Sequence, residues 1–429
     1  MNLIRSLFRY ISDAISPLLL YLGKWMLYCT LVGIFVGVAS ALFLYLLNLS
    51  TNFRETHLWI ISFLPIGGLL IGLSYYYWGD SVVKGNNLLI EEFHNPQRII
   101  PFRMAPLVLF GTVVTHFFGG SAGREGTAVQ IGGAIADQLT RVMKLHNRDR
   151  RMVLVMGISA GFASVFGTPL AGAIFALEVF IVGRMRYEAI FPSFLVAVIA
   201  NYVTLLLGAT HTHYSIINVP AISFENIAWC IVAGVFFGLT ARAFSWLIAL
   251  ISKVFRDKIK YPPLRPFIGG IFIAVAVYTF GAYKYIGLGL PTIHNAFEMD
   301  MPSYDFLLKL LFTTFTLGVG FKGGEVTPLF FIGATLGNAL GDIIPLPIAL
   351  LAGMGFVAVF AGATNTPIAC IVMGMELFGL AGSVYIAIAC IVSYLLSGHT
   401  GIYSAQIIGS PKNLRFGRDK GKRISEIKE

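Results

Sequence analysis

The sequence predicts an all-α integral membrane protein made of two inverted repeats, with re-entrant helices broken inside the membrane. Three observations predict it: too little charge for a soluble chain, apolar runs of spanning length, and an internal repeat in which glycine- and glutamate-bearing motifs recur. Of 429 residues, 56% are hydrophobic and only 12% charged, against about 25% charged in soluble domains. So few polar side chains cannot cover a water-facing surface, and a soluble fold is excluded. A hydrocarbon core takes about 20 apolar residues per helix. Runs at 25–49, 58–78, 104–118, 190–207, 227–251, 267–280, 306–319 and 350–360 have this character, and the chain has room for roughly ten such helices.

The N-terminal end has Arg5 and Arg9 but no small-residue cleavage site before a short apolar core, so no signal peptide is expected. Residues 2–22, interrupted by Asp13 and Pro17, read as an amphipathic segment lying on the membrane surface. The formal charge of +10 does not point to nucleic acid, because the basic residues sit in short loops. Those loops are 141–151, 184–186 and 256–265, with the tail from 412 onward; the loops 211–226 and 298–305 have none. Positive-inside bias then puts the basic loops and both termini in the cytoplasm. Cys29, Cys230, Cys370 and Cys390 are scattered through apolar runs without paired spacing, and read as small packing residues.

Sliding the chain against itself exposes the repeat. MGISAGFASVFGTPLAGAIFALEVF at 156–180 matches MGFVAVFAGATNTPIACIVMGMELF at 354–378, at an offset of 198. Upstream, GREGTAVQIGGA at 123–134 matches GGEVTPLFFIGA at 323–334, at an offset of 200. Paired repeats of this kind belong to transporter folds with a site at the midplane between them. An odd number of crossings between the copies makes them inverted. The expected division is 1–24 as an N-terminal segment, 25–208 and 209–410 as the repeats, and 411–429 as a short tail.

Both upstream motifs put glycines and a glutamate directly before a helical run: Gly123, Arg124, Glu125 and Gly126 in one, Gly323, Gly324 and Glu325 in the other. Glycines permit the turn into a helix that starts within the membrane, and its first N–H groups lack partners. In hydrocarbon those groups must be satisfied, and a helix N-terminus favours an anion. Asn86, in Gly85-Asn86-Asn87, is either a plain N-cap or a third lining group. Glu125 is a costly intramembrane carboxylate. It can occupy an anion's place when charged and swing away when protonated, which would couple proton to anion. A salt bridge with Arg124 is disfavoured, since adjacent helical residues do not face each other. Glu325 takes the matching place, with Thr327 two residues on as a hydroxyl donor and Lys322 as a counter-ion or a snorkelling cation. Glu178 and Glu376 read as ties between helices. Gly119-Gly120-Ser121-Ala122-Gly123 has the form of a serine-hydrolase elbow, but a helical run precedes it where a strand is required. That leaves a serine hydrolase as a remote alternative. No metal, P-loop or dinucleotide fingerprint appears, so no metal, cofactor or enzymatic activity is expected.

These motifs resemble those of the CLC family of anion channels and anion/proton exchangers, over roughly residues 25–406. GREGT at 123–127 is similar to the family's GREGP, which implies that Glu125 is the gating glutamate. GTPLAGAIFALE at 167–178 also matches, and Tyr403 in GIYSAQ falls where the family has its central anion-coordinating tyrosine. The chloride-type GSGIP is replaced by Gly85-Asn86-Asn87-Leu88-Leu89, and GGIFAP by Gly323-Gly324-Glu325-Val326-Thr327-Pro328. The internal proton glutamate of chloride exchangers would fall at Val179. Together these departures resemble the bacterial fluoride-exporting branch. The resemblance implies fluoride/proton exchange, with Glu125 as gate and proton carrier and Asn86, Glu325, Val326, Thr327 and Tyr403 as the anion-binding and selectivity set. It implies a CLC-type fold, a homodimer with one pore per subunit, and a place in the bacterial inner membrane. A chloride-type exchanger or a passive voltage-gated chloride channel is the nearest alternative.

Overall fold

The computed structural model describes residues 2–212 and 214–427, with the side chains of 17–212, 214–413 and 417–427. The first half holds α1 (Asn2–Thr56), α2 (Leu64–Trp78), α3 (Asn86–His94), α4 (Met104–Phe118), α5 (Glu125–Val142), α6 (Asn147–Phe166), α7 (Pro169–Glu178) and α8 (Ile190–Leu206). The second holds α9 (Phe224–Lys258), α10 (Leu264–Phe280), α11 (Leu290–Glu298), α12 (Asp305–Gly318), α13 (Val326–Leu340), α14 (Ile348–Thr364), α15 (Pro367–Phe378) and α16 (Ser383–Leu396). Each element of one half has a counterpart eight helices on. Packing follows the same rule: α1 lies on α8 as α9 lies on α16, and α5 on α6 as α13 on α14. Two elements pack on their own counterparts, α2 on α10 and α7 on α15, so both pairs lie on the axis relating the halves.

The α7/α15 pair shows how that axis is oriented. Both helices open on Thr-Pro, where proline's missing N–H is harmless at the first turn, and both close near a glutamate. Glu376, on the last turn of α15, accepts from the N–H groups of Leu170 (2.9 Å) and Ala171 (2.7 Å) at the start of α7. Glu178, ending α7, accepts from Ile368 (3.2 Å) and Ala369 (2.9 Å) at the start of α15. Equivalent helices therefore run antiparallel, as an axis perpendicular to them requires. The expected ties are thus reciprocal helix caps. A carboxylate at a helix N-terminus satisfies orphan donors and meets the positive end of the dipole.

Close backbone approach holds each half together. A methyl on Gly333 would lie 2.0 Å from the Gly355 carbonyl oxygen, and one on Gly157 would lie 2.6 Å from that of Gly132. Such small-residue contacts replace the hydrophobic effect, which is absent between helices in lipid. Stacked rings fill the space around the site: Phe330 on Phe356 at 4.1 Å and Phe162 on Phe175 at 4.6 Å. Large apolar side chains such as Phe35, Tyr45, Phe236 and Phe272 face outward, as a lipid-facing surface allows. All four cysteines are buried and unbonded to one another.

Two expectations need correction. Residues 2–22 are not a separate element: α1 runs from Asn2 to Thr56 with Pro17 inside it, where the proline costs the helix a backbone hydrogen bond. Whether the segment is amphipathic lies outside the described side chains as far as residue 16. Second, among the described residues only Pro17–Thr56, Leu58–Trp78, Tyr187–Leu206 and Phe224–Lys258 are long and apolar enough to cross unaided. The runs at 104–118, 267–280, 306–319 and 350–360 belong to α4, α10, α12 and α14, of 15, 17, 14 and 17 residues. At 1.5 Å per residue these reach about 21–26 Å, short of a 30 Å core. The segment after α16 is fastened in place. A parallel pair of two-residue strands, β1 (Ile181–Val182) and β2 (Ile407–Ile408), ties the α7–α8 loop to the segment after α16. The tail then folds back so that Ile408 and Lys422 bond through their backbones at 2.9 Å.

Candidate ion-binding site

The two loops that launch α5 and α13 meet head to head. Gly123 and Gly324 exchange backbone hydrogen bonds of 2.6 and 2.8 Å, an isolated antiparallel bridge on the axis between the halves. Two helix N-termini therefore converge where no charged metal is needed to attract an anion.

Glu125 is the first residue of α5 and is fully buried. Its partner comes from the other half: the Thr327 hydroxyl lies 2.6 and 2.8 Å from the two carboxylate oxygens, and the Thr327 N–H donates at 3.1 Å. Arg124 also reaches it, with Nε 3.4 Å from Oε1. The expectation that neighbours cannot pair is corrected here. Arg124 is the cap of α5, at φ −121° and ψ −28°, so the facing rule for helix interiors does not bind it.

The corresponding contact in the other half is not made. Thr127 bonds Thr112 at 2.6 Å, and Glu325 Oε2 is buried with no hydrogen-bond partner among the described residues. Asn86 Oδ1 shares that condition. Both side chains converge on Gly126: a methyl there would lie 3.2 Å from Asn86 Nδ2 and 3.3 Å from Glu325 Oε2. Asn86, Gln130, Lys322, Glu325 and Tyr403 line a cavity of about 160 Å³. Lys322 forms no ion pair with Glu325; its ammonium stands 4.2 Å over the Tyr75 ring. Buried polar groups without partners cost free energy, so a cavity holding two is built for a polar guest.

Arg124, Glu125 and Thr327 face a separate, narrow space of about 20 Å³ with Thr212 and Tyr214. Arg124 and Thr212 also line a wider cavity of about 290 Å³. The structure thus sorts the expected residues into two adjoining groups. Glu125 and Thr327 stand on one side, and Asn86, Glu325 and Tyr403 on the other. Gly123, Gly126, Gly323 and Gly324 form the junction between them. Val326 is buried but lines neither cavity.

Two contributors lie outside the expected set of site residues. Gln406 donates to the carbonyls of Val179 (2.7 Å) and Thr364 (2.8 Å), and Asn87 accepts from the Ala405 N–H at 3.0 Å. Together they fix the turn that presents Tyr403. Asn87 could have been found beside Asn86; Gln406 could not, since its partners lie far along the chain. The serine-elbow reading is overturned. Ser121 is fully buried and bonded to Thr313 at 2.8 Å, and His116 bonds the Gly123 carbonyl instead of Ser121.

Comparisons with known proteins agree with this geometry. The family described as voltage gated chloride channel matches residues 67–398. The chain is similar to a "Chloride/fluoride channel protein" of Pseudomonas syringae pv. tomato, at 54% identity over 418 residues, spanning 96% of this chain and 92% of that one. Among solved structures it resembles a CLC-type fluoride/proton antiporter, with TM-score 0.87 and 35% identity, covering 90% of this chain and 98% of the other. A slow cyanobacterial Cl−/H+ antiporter shares the fold, with TM-score 0.76 and 20% identity, over 87% and 94% of the two chains.

Proposed function

This chain belongs to the CLC family of voltage gated chloride channels, and from that premise we propose that it is a fluoride/proton antiporter which uses the inward proton gradient to expel fluoride. The observation that carries the reading is the buried Glu125 carboxylate, seated on the donors of Thr327 between two cavities. While charged, the carboxylate takes the place an anion would take at the paired helix N-termini. Protonation removes its charge and weakens its hold on Thr327, so the side chain can leave. The freed O–H and N–H then serve fluoride, a small hard anion whose lost water must be replaced by strong donors.

Glu325 deepens the reading. It faces the second cavity with an unpartnered oxygen, while the position of the chloride exchangers' internal glutamate is the buried, apolar Val179. Glu325 therefore supplies a second proton-carrying step, with Asn86 and Tyr403 beside the anion. The cavity shared by Arg124 and Thr212 opens toward the loop 211–226, which lacks lysine and arginine, so it faces outward and the Asn86 cavity inward. On this reading the protein works as a homodimer in a bacterial inner membrane with both termini cytoplasmic.

The substrate is tested by loading proteoliposomes with equal fluoride and chloride and following both with ion-selective electrodes. Fluoride is expected to leave faster; chloride leaving faster would replace this reading with a chloride-type exchanger or channel. In the same assay Thr327→Val is expected to raise the fluoride concentration for half-maximal flux by about tenfold, the value of one hydrogen bond to a charged group. Thr327→Ser should restore it.

A further inference from the structure

We propose that the cavity between α3, α6 and the start of α8 binds the phosphate headgroup of an anionic membrane lipid. It has a volume of about 310 Å³, and Arg148, Arg151, Arg186 and Glu188 line it. Three guanidinium groups thus face one carboxylate. Arg186 contacts Glu188 only at 3.5 Å, lies 5.1 Å over the Phe93 ring, and has a buried Nε without a hydrogen-bond partner. Arg151 reaches just the His94 carbonyl, at 3.3 Å, and Arg148 makes no ion pair among the described residues.

The neighbouring Arg150 shows what a structural arginine looks like here. It is bonded to Asp137 (2.8 Å) and Glu92 (3.0 Å), both largely buried. The three cavity arginines lack such neutralisation, and their shared space suits a guest carrying its own negative charge. Arginine's planar fork matches phosphate oxygens in particular.

Depth identifies the source of that phosphate as the membrane. The spanning segment Tyr187–Leu206 begins at the cavity rim. Its first residues, Tyr187 and Ile190, are 68% and 40% exposed. An exposed tyrosine at the start of a span marks the headgroup level, and anionic lipids attract arginines near that surface. The apolar wall of Met152, Val155 and Phe93 suits the first acyl carbons of a lipid better than a free hydrated ion. A bound headgroup ties α3, whose other end presents Asn86, to α6 and α8.

The test uses purified full-length protein in uncharged detergent, stripped of lipid, titrated with phosphatidylglycerol, phosphatidylcholine or inorganic phosphate. Native mass spectrometry counts bound lipid, and thermal unfolding reports protection. Phosphatidylglycerol is expected to bind saturably and raise the unfolding temperature, while the other two do not. Arg148→Gln with Arg186→Gln should weaken its binding by about thirtyfold. Arg148→Gln alone, which breaks no ion pair, should weaken it by roughly fivefold, and Arg141→Gln, outside the cavity, should have no effect. Equal phosphatidylglycerol binding by wild type and Arg148→Gln would overturn the proposal, as would equal protection by inorganic phosphate, which would make this a soluble-anion site.

Discussion

Glu125→Gln is expected to abolish proton movement, by on the order of a hundredfold or more, the scale of losing one positioned acid/base group. The amide has nearly the shape of the carboxylate, so the packing around α5 is kept and any fluoride that still crosses does so down its own gradient. The charge is what is lost. A neutral amide cannot take up and release a proton, and it holds the Thr327 donors, at 2.6 and 3.1 Å in the parent, less tightly. Proton uptake by proteoliposomes, read with an internal pH-sensitive dye, decides it. Coupling equal to wild type would remove Glu125 from the gate.

Glu376→Ala and Glu178→Ala are expected to destabilise the fold by about 2–4 kcal/mol each, since each leaves two N–H groups at a helix start without acceptors, with the larger loss at Glu178, whose partner Ala369 is fully buried. The two carboxylates cap each other's helices, so the double variant loses both fastenings along the axis between the halves. Gln at either position keeps one acceptor oxygen and should lose about half as much. Denaturation in mixed micelles, followed by tryptophan fluorescence, measures the loss. Unchanged midpoints for the alanine variants would mean that these bonds do not hold the halves together.

The membrane class and the duplicated architecture were legible because both are written in composition and spacing. Scarcity of charge needs no structure, and Thr-Pro, Gly and Glu recur at fixed offsets. Glu125 and Glu325 stood out for the same reason, each following glycines before an apolar run. Their difference did not. That Glu125 is held by Thr327, 202 positions away, while Glu325 keeps an unpartnered oxygen, depends on how two inverted loops dock. The Arg124–Glu125 contact escapes a rule written for helix interiors, because Arg124 is a capping residue. The short lengths of α4, α10, α12 and α14 leave no mark in hydropathy, which records apolarity and not where a helix stops. The turn holding Tyr403 relies on Gln406 and Asn87, whose partners belong to other segments. Such distant pairings leave no local trace.

The central claim, that fluoride and proton movements are coupled through this site, is tested most directly in proteoliposomes loaded with fluoride at equal internal and external pH. With potassium and valinomycin clamping the voltage, fluoride leaving down its gradient is predicted to drive protons inward and acidify the lumen. Fluoride efflux through the protein with no change in internal pH would contradict the account.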